Sequence, residues 1–140
     1  MDHNPLPFAP TEETRMLQDL VARFVDKELI PLEPAILKRE AEGKGYKLSE
    51  EEETRLLARC KELGLWGLDV PEEFGGANLS LSALAAAEEE LGRACVPFVI
   101  PPDSPNLHMM LSVANSMQRE RYLAPYAEGT ARSAMAISEP

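Results

Sequence analysis

The amino-acid sequence predicts an all-α fold, a bundle of about five to six helices followed by a short C-terminal extended strand. Apolar residues recur at three- and four-residue steps along most of the chain, as they do on one face of a helix. The hydrophobic fraction is 44% but the aromatic fraction is only 6%, so Leu, Ala, Val and Met must fill the core, which favours helices. A chain of 140 residues is about one domain long.

The first helix follows a proline-rich leader, residues 1–10. Thr11 is a suitable N-cap, and acidic residues occupy the first turn, where the helix dipole favours negative charge. Pro31 and Pro34 interrupt the pattern, because proline removes a backbone hydrogen bond and clashes with the preceding turn. We expect a kink or break there, with helix resuming to about Ala41. The predicted apolar face consists of Met16, Leu17, Leu20, Val21, Phe24, Val25 and Ile30.

Ser49 and Glu52 form a predicted capping box for the second long helix, and Gly64 is expected to end it in the left-handed region. Its predicted core face is Leu56, Leu57, Cys60 and Leu63. The third helix is expected over about residues 80–91, ending at Gly92, and its successive alanines would let a neighbour approach closely. The residues predicted to lie along one side of this helix are Leu81, Leu84, Ala85, Glu88 and Leu91.

Ser104 and Pro105 match the N-cap and first position of a fourth helix. Its predicted packing residues are Leu107, Met110, Leu111 and Ala114. A final helix is expected over about residues 117–127, bent near Pro125 and ended by Gly129. Its predicted inward residues are Tyr122, Leu123 and Tyr126.

Residues 130–138 lack helical spacing, alternate loosely and are expected to form one extended strand. The backbone groups of a lone strand need a sheet that the sequence does not otherwise predict, so we expect an incomplete unit. The predicted organisation is a leader over residues 1–10, a helical domain over 11–129 and the first strand of a truncated β-domain over 130–140.

Composition argues against several classes of function. The net charge is −10 and no Lys/Arg run could follow a phosphate backbone, so no nucleic-acid partner is expected. The N-terminus lacks a signal-peptide pattern and no apolar stretch approaches about 18 residues, so we expect a cytoplasmic protein without a membrane partner. Cys60 and Cys95 are expected to be reduced core thiols. Neither they nor His3 and His108 have metal-ligand spacing, so no metal site is predicted.

Residues 64–76, GLWGLDVPEEFGG, resemble the G-L-x-G-x-x-x-P-E-E-[YF]-G-G loop of the acyl-CoA dehydrogenase family. The order of the other motifs is also similar to that family's N-terminal helical domain. The first helix ends near Ile30-Pro31, EELG stands at residues 89–92 and RYLAP at residues 121–125. The sequence AMAISEP at residues 134–140 resembles the A-x-A-x-T-E-P strand that opens the family's middle β-domain. The resemblance covers nearly the whole chain.

The resemblance implies an FAD-dependent oxidoreductase that removes hydrogens from the α and β carbons of an acyl-CoA thioester. A carboxylate base takes the α-proton while the β-hydrogen leaves as hydride to flavin N5. The family's base usually lies in the C-terminal helical domain, so no catalytic residue is assigned here, and Glu139 is not the base. Carried over by position, the cofactor-binding residues would be Met135, Ile137 and Ser138, where Ser replaces the commoner Thr.

The same resemblance places the acyl-chain cavity beside residues 91–99. The substrate-binding residues would be Cys95, Val96 and Phe98, with core packing as the alternative role for each. Three prolines, Pro97, Pro101 and Pro102, depart from the continuous helix of relatives and leave the acyl specificity open.

The leading hypothesis is the N-terminal part of an FAD-dependent acyl-CoA dehydrogenase, catalytically incomplete as an isolated chain. Its partners would be an acyl-CoA substrate and the middle and C-terminal domains, in a longer protein or in a partner chain of a split enzyme. A homo-oligomer is a further expectation. Stable FAD binding by this chain alone is not expected, because most flavin contacts would come from the other domains. The alternatives are a non-catalytic helical interaction module and an unrelated helical bundle.

Overall fold

The computed structural model describes residues 10–102 and 105–131. These residues form helices joined by loops and contain no strand. The predicted all-α class is confirmed. Two compact units are present: the first combines the chain up to Leu56 with Ser80–Phe98, and the second combines Leu57–Leu79 with the chain from Val99. The α-helices are α1 (Glu12–Phe24), α2 (Glu33–Ala41), α3 (Glu50–Leu63), α4 (Leu81–Leu91), α5 (Pro105–Val113), α6 (Ser116–Gln118) and α7 (Ala124–Ala127). The shorter turns are π-helical at Val25–Leu29 and Arg119–Leu123, and 3-10 at Ile30–Leu32 and Glu72–Phe74.

Helix α1 begins where the sequence predicts. The Thr11 hydroxyl accepts a hydrogen bond from the Thr14 backbone N–H at 3.1 Å. The predicted break before Pro31 is also confirmed. The Ile30 N–H donates to the Val25 carbonyl, a five-residue step that widens the helix just before the proline. A 3-10 turn then leads into α2, which ends at the predicted residue.

Helix α4 packs against α1 in the first unit, and the predicted side is buried only in part, at Leu91 and partly at Leu84. The buried residues of α4 are Ala83, Ala87 and Leu91, whereas Leu81, Ala85 and Glu88 are exposed. The buried three are four residues apart and therefore lie on one side of the helix. The two small alanines on this side leave room for a neighbouring helix, whereas Leu81, at the start of α4, is 82% exposed. On α1, most of the predicted face is buried or half-buried, but Met16 and Ile30 are exposed.

The predicted capping box at the start of α3 is confirmed. The Ser49 hydroxyl accepts from the Glu52 N–H at 3.2 Å, and the Glu52 carboxylate accepts from the Ser49 N–H at 2.8 Å. Arg39 of α2 donates to both oxygens of the same carboxylate at 3.0 and 2.8 Å. Partial burial opposes ionisation, but the hydrogen bond from Ser49 and the Arg39 guanidinium outweigh it and lower the pKa of Glu52.

The end of α3 also follows the prediction. Gly64 has a φ of 71°, and the Leu65 N–H donates to the Cys60 carbonyl at 2.8 Å, which closes the helix through a left-handed residue. Cys60 is buried as expected. Cys95 is exposed, so the expectation that both thiols lie in the core was wrong for Cys95, which follows the end of α4 rather than lying within a helix face.

The second unit has a buried core built from α5, the last helical segment and the loop after α3. The buried residues of this core are Val70, Leu107, Leu123, Tyr126 and Ala127. Phe74, Met110, Leu111 and Ala114 pack against them while remaining partly exposed. The predicted packing face of α5 is therefore confirmed. The predicted cap of α5, Ser104, lies outside the described residues.

The last helical segment runs from Ser116 to Ala127 with a π-helical turn in its middle. The Ala124 N–H donates to the Arg119 carbonyl, five residues back, directly before Pro125. The predicted burial of Leu123 and Tyr126 is confirmed, but Tyr122 is 46% exposed. The wide turn changes the phase of the helix, so a face projected at regular helical spacing assigns Tyr122 to the wrong side.

Gly129 ends this segment with a φ of 78°. The predicted strand does not begin at residue 130, because Thr130 and Ala131 form a bend and both donate backbone N–H groups to the Pro125 carbonyl, at 2.9 and 3.1 Å. The rest of the predicted strand, residues 132–138, lies outside the described residues.

Candidate functional site

One candidate region is the corner where the last helical segment ends. The Trp66 indole N–H donates to the Ala127 carbonyl at 2.9 Å. The Lys61 ammonium lies 4.1 Å from the centroid of the indole ring, within the range of a cation–π contact. Ala127 is buried and Trp66 is half-buried. We call the group of Trp66, Ala127 and Gly129 the exit corner, because the chain leaves the helical segment there.

Gly129 completes the exit corner through the absence of a side chain. A Cβ atom at this position would lie 2.5 Å from Trp66 Cη2, which is closer than two carbon atoms without a bond between them can approach. The positive φ of Gly129 independently favours glycine. The indole ring therefore occupies the space that any other residue at position 129 would need.

The loop after α3 is held by backbone contacts. The Gly67 N–H donates to the Pro101 carbonyl at 2.8 Å, and the Gly67 carbonyl accepts from the Ala77 N–H at 2.9 Å. A Cβ atom on Gly76 would lie 2.5 Å from the Val70 carbonyl carbon. The loop thus folds back on itself at a distance that only glycine allows at position 76.

A second candidate region, within the first unit, surrounds residues 95–98. The Cys95 backbone N–H donates to the Glu33 carboxylate at 2.7 Å. Val96 and Phe98 are half-buried, and the Phe98 ring lies 5.8 Å from the ring of Phe24, which is buried in α1. The structure therefore places Phe98 against an aromatic partner, while Cys95 faces solvent.

Charged and phenolic groups border this second region. Arg93 donates to Asp26 at 2.7 Å and to Glu90 at 3.1 Å, and these hydrogen bonds raise the pKa of Arg93. Partial burial raises the pKa of the Tyr46 phenol, and the neighbouring Cys95 and glutamates raise it further. Near neutral pH, Arg93 is thus charged and Tyr46 is neutral.

Comparison with known proteins assigns the chain to a family. The model of the acyl-CoA dehydrogenase N-terminal domain matches residues 11–130. The chain belongs to the acyl-CoA dehydrogenase family. The chain is 35% identical to (R)-benzylsuccinyl-CoA dehydrogenase of Thauera aromatica in an alignment 143 residues long. The alignment covers 96% of this chain and 35% of that protein.

Solved structures agree with this membership. A structure described as an acyl-CoA dehydrogenase from Mycobacterium abscessus superposes with a TM-score of 0.73 at 32% identity, covering 89% of this chain and 33% of that one. A chain in a structure of the electron transferring flavoprotein of Acidaminococcus fermentans gives a TM-score of 0.58 at 26% identity, covering 89% and 31%. The chain spans about a third of the length of these relatives. A dehydrogenase family with a flavoprotein neighbour indicates flavin use among these proteins.

The site residues inferred from the acyl-CoA dehydrogenase resemblance fall into two groups. Met135, Ile137 and Ser138, inferred to bind the cofactor, lie outside the described residues. Cys95, Val96 and Phe98, inferred to bind substrate, are neighbours in one segment, and of these Phe98 is packed against another aromatic ring. Their substrate role stays a prediction.

Sequence reasoning missed the partners of these residues. Glu33 contacts Cys95 and Phe24 contacts Phe98, although the members of each pair are 62 and 74 positions apart, and no local motif signals such contacts. The indole contact of Trp66 with Ala127, 61 residues further on, was missed for the same reason. Only a resemblance to a whole fold could have indicated them.

A further polar contact joins two titratable side chains of the second unit. His108 Nε2 lies 3.2 Å from the Asp69 carboxylate in the second unit. No group of three or more His, Cys, Asp and Glu side chains that could hold a metal ion occurs within residues 10–102 and 105–131. Over the same part of the chain, no helix is long and apolar enough to cross a membrane.

Proposed function

We propose that this chain forms the N-terminal helical domain, residues 11–129, of an FAD-dependent acyl-CoA dehydrogenase that oxidises the α–β bond of an acyl-CoA thioester. The observation that carries the proposal is the family match over residues 11–130. The remaining two thirds of the relatives' length would contribute the middle and C-terminal domains, in the same polypeptide or in a partner chain. The enzyme would act in the cytoplasm, and a homo-oligomer is compatible with the family.

The flavin contacts proposed for this chain are Met135, Ile137 and Ser138. When bound, FAD would supply the hydride acceptor. The donor set suits a flavin ring edge, because backbone N–H groups and a serine hydroxyl hydrogen-bond to ring nitrogen and carbonyl oxygen atoms. Ser138 retains the hydroxyl of the commoner threonine. What this chain would do is bind and orient the ring.

The acyl-chain contacts proposed for this chain are Cys95, Val96 and Phe98. Packing against Phe24 supports a fixed position for the Phe98 ring, which could limit the depth of an apolar cavity. Shortening the side chain, as in Phe98→Ala, should then change the ratio of kcat/KM between short and long acyl chains. An unchanged ratio in a less stable protein would instead assign Phe98 to core packing.

No residue of this chain is proposed as the catalytic base. The described carboxylates near the candidate substrate region already have partners: Glu33 accepts the Cys95 N–H, and Asp26 pairs with Arg93. The base would lie in the C-terminal helical domain, as the family resemblance implies. In this division, residues of this chain bind and orient the flavin and the substrate, and a residue of the C-terminal domain abstracts the proton.

The test compares the 140-residue chain with the assembly that contains the other domains. The chain carrying an affinity tag is purified alone and from its native source, and flavin absorbance is recorded for both. We expect a colourless isolated chain and a yellow assembly whose colour bleaches when acyl-CoA is added without oxygen. An assembly without flavin would favour the non-catalytic module, and flavin retained by the isolated chain would contradict the proposed division of contacts.

The Ser138 contact is tested within that assembly. Ser138→Ala should raise the flavin dissociation constant roughly fivefold, because one hydrogen bond is lost, while helical content stays the same. Ser133→Ala is the matched control, since it makes the same chemical change in the same segment at a residue with no proposed contact. Equal flavin affinities of the two variants would remove Ser138 from the site.

A further inference from the structure

One side chain ties the segment at residues 95–98 to helix α2. The Cys95 backbone N–H donates to a carboxylate oxygen of Glu33, the first residue of α2, at 2.7 Å. Cys95 lies in the irregular segment after α4, so Glu33 supplies the acceptor that a helix would take from its own backbone. Hydrogen bonds between a backbone N–H and a carboxylate are stronger than those between neutral groups. Glu33 therefore fixes the start of this segment.

The rest of the segment is a tight turn. The Phe98 N–H donates to the Val96 carbonyl at 2.8 Å, which closes a three-residue turn centred on Pro97. The proline ring fixes its own φ at about −65°, close to what such a turn needs. The Phe98 ring then lies 5.8 Å from the ring of Phe24 on α1. A change in the position of Cys95 is therefore transmitted along a stiff stretch of backbone to Val96 and Phe98.

We propose that Glu33 is a positioning residue that sets the acyl-chain selectivity of the enzyme. Glu33 itself would not touch the substrate; it holds Cys95 and, through the turn, the two residues beyond it. The inference rests on the proposed function, which assigns the acyl-chain contacts to Cys95, Val96 and Phe98. The carboxylate comes from α2 and the aromatic partner from α1, so the segment is held at both ends. A cavity wall held at both ends stops a long acyl chain, whereas a wall released at one end yields to it.

The first measurement tests the hydrogen bond in the 140-residue chain itself. Glu33→Ala removes the acceptor, and we expect hydrogen exchange at the Cys95 amide to be about tenfold faster. Glu40→Ala is the matched control, since it removes the same group from an exposed position on the same helix and should leave the exchange unchanged. Unchanged exchange at the Cys95 amide in Glu33→Ala would overturn the proposal.

The second measurement uses the flavin-containing assembly and compares kcat/KM for lauroyl-CoA with kcat/KM for butyryl-CoA. Glu33→Ala should raise this ratio roughly fivefold, the equivalent of one lost hydrogen bond. The change should appear in KM, because a cavity wall contacts the acyl chain equally before and during the reaction. Glu40→Ala should leave the ratio unchanged. Glu33→Gln should keep it within about twofold of the natural value, because the amide oxygen can accept the same N–H; a ratio as high as that of Glu33→Ala would contradict the proposal.

A merely structural role for Glu33 would give a different result. Ile36→Val is the stability control, because Ile36 is the buried residue of α2 and its substitution weakens the packing of that helix while leaving the carboxylate in place. The proposal fails if Ile36→Val raises the ratio as much as Glu33→Ala does. It also fails if Glu33→Ala lowers kcat for both substrates alike and leaves the ratio unchanged.

The two proposals can fail separately. An unsubstituted assembly that contains no flavin and oxidises no acyl-CoA overturns the proposed function, and the positioning role falls with it. An active assembly in which Phe98→Ala changes the ratio but Glu33→Ala does not, despite faster exchange at Cys95, overturns the positioning role and leaves the proposed function standing.

Discussion

Both units of the chain contain helices capped by side chains, including Asn115 in the second unit, but among the described residues only the second unit contains glycines that a close neighbour requires. In the first unit, helices start at hydroxyl side chains: Thr11, Ser49 and Ser80 each accept the N–H of the residue three positions on. In the second unit, the backbone lies close to Val70 at Gly76 and to Trp66 at Gly129, where a single methyl group would overlap other atoms. A lost cap leaves one N–H group to water, whereas the overlap at Gly76 is with backbone and cannot be relieved by rotating a side chain. Small substitutions in the second unit should therefore be the more damaging.

The largest expected effect is that of Gly76→Ala. The added Cβ would lie 2.5 Å from the Val70 carbonyl carbon, so the loop must move and the core residue Val70 with it. We expect the free energy of unfolding to fall by about 3 kcal/mol or more, as for other overpacked sites. Urea denaturation of the natural protein and of Gly76→Ala measures this difference in the free energy of unfolding.

Gly75→Ala is the control for this prediction. Gly75 has a φ of 80° but no atom near its Cβ position, so its substitution adds backbone strain without overlap and should cost only about 1–2 kcal/mol. Equal losses at positions 75 and 76 would mean that the close approach to Val70 does not matter.

Gly129→Ala should have the next largest effect. It combines a φ of 78° with overlap at the Trp66 ring, and we expect a loss of about 2–3 kcal/mol in a thermal or urea unfolding experiment. Gly43→Ala is the matched variant, because Gly43 ends α2 with a φ of 73° and has open space around it. The difference between the two variants measures the overlap with the indole, and the comparison between the units breaks down if that difference is zero.

The smallest expected effect concerns a cap in the first unit and depends on pH. The pKa of Glu52 in the folded protein is lowered from its ordinary value of 4.5, so ionised Glu52 stabilises the fold above that pH. This contribution is lost as the pH falls through the lowered pKa. Glu52→Gln should thus be less stable than the natural protein near neutral pH, and the two should converge in acid. Unfolding curves collected from neutral to acidic pH test this, and a gap that stays constant would contradict it.

Local signals predicted much of the fold. Four local signals act on backbone groups a few residues away, and all four were predicted correctly. They are Thr11, the Ser49–Glu52 capping box, Gly64 and Gly129. The faces of α4 and of the last helical segment were predicted less well. On α4, Ala83 and Ala87 are buried while Leu81 is exposed, and the wide turn before Pro125 shifted Tyr122 outward.

The contacts at the candidate sites could not be predicted from such local signals. The resemblance to the acyl-CoA dehydrogenase family supplied Cys95, Val96 and Phe98 as a segment, but the contacts of Phe98 with Phe24 and of Cys95 with Glu33 join residues far apart in sequence. Such contacts depend on how whole helices pack, and one sequence carries no local signal for them.

The indole at the exit corner has one more consequence, since Trp66 is the single tryptophan of the chain. Its emission comes from one place, where a lysine ammonium lies above the ring and the Ala127 carbonyl accepts its N–H. Both contacts change the polarity around the excited ring, so a fluorescence spectrum of the intact chain reports on this corner without any added label. The molecule therefore carries an optical reporter at the end of its last helical segment.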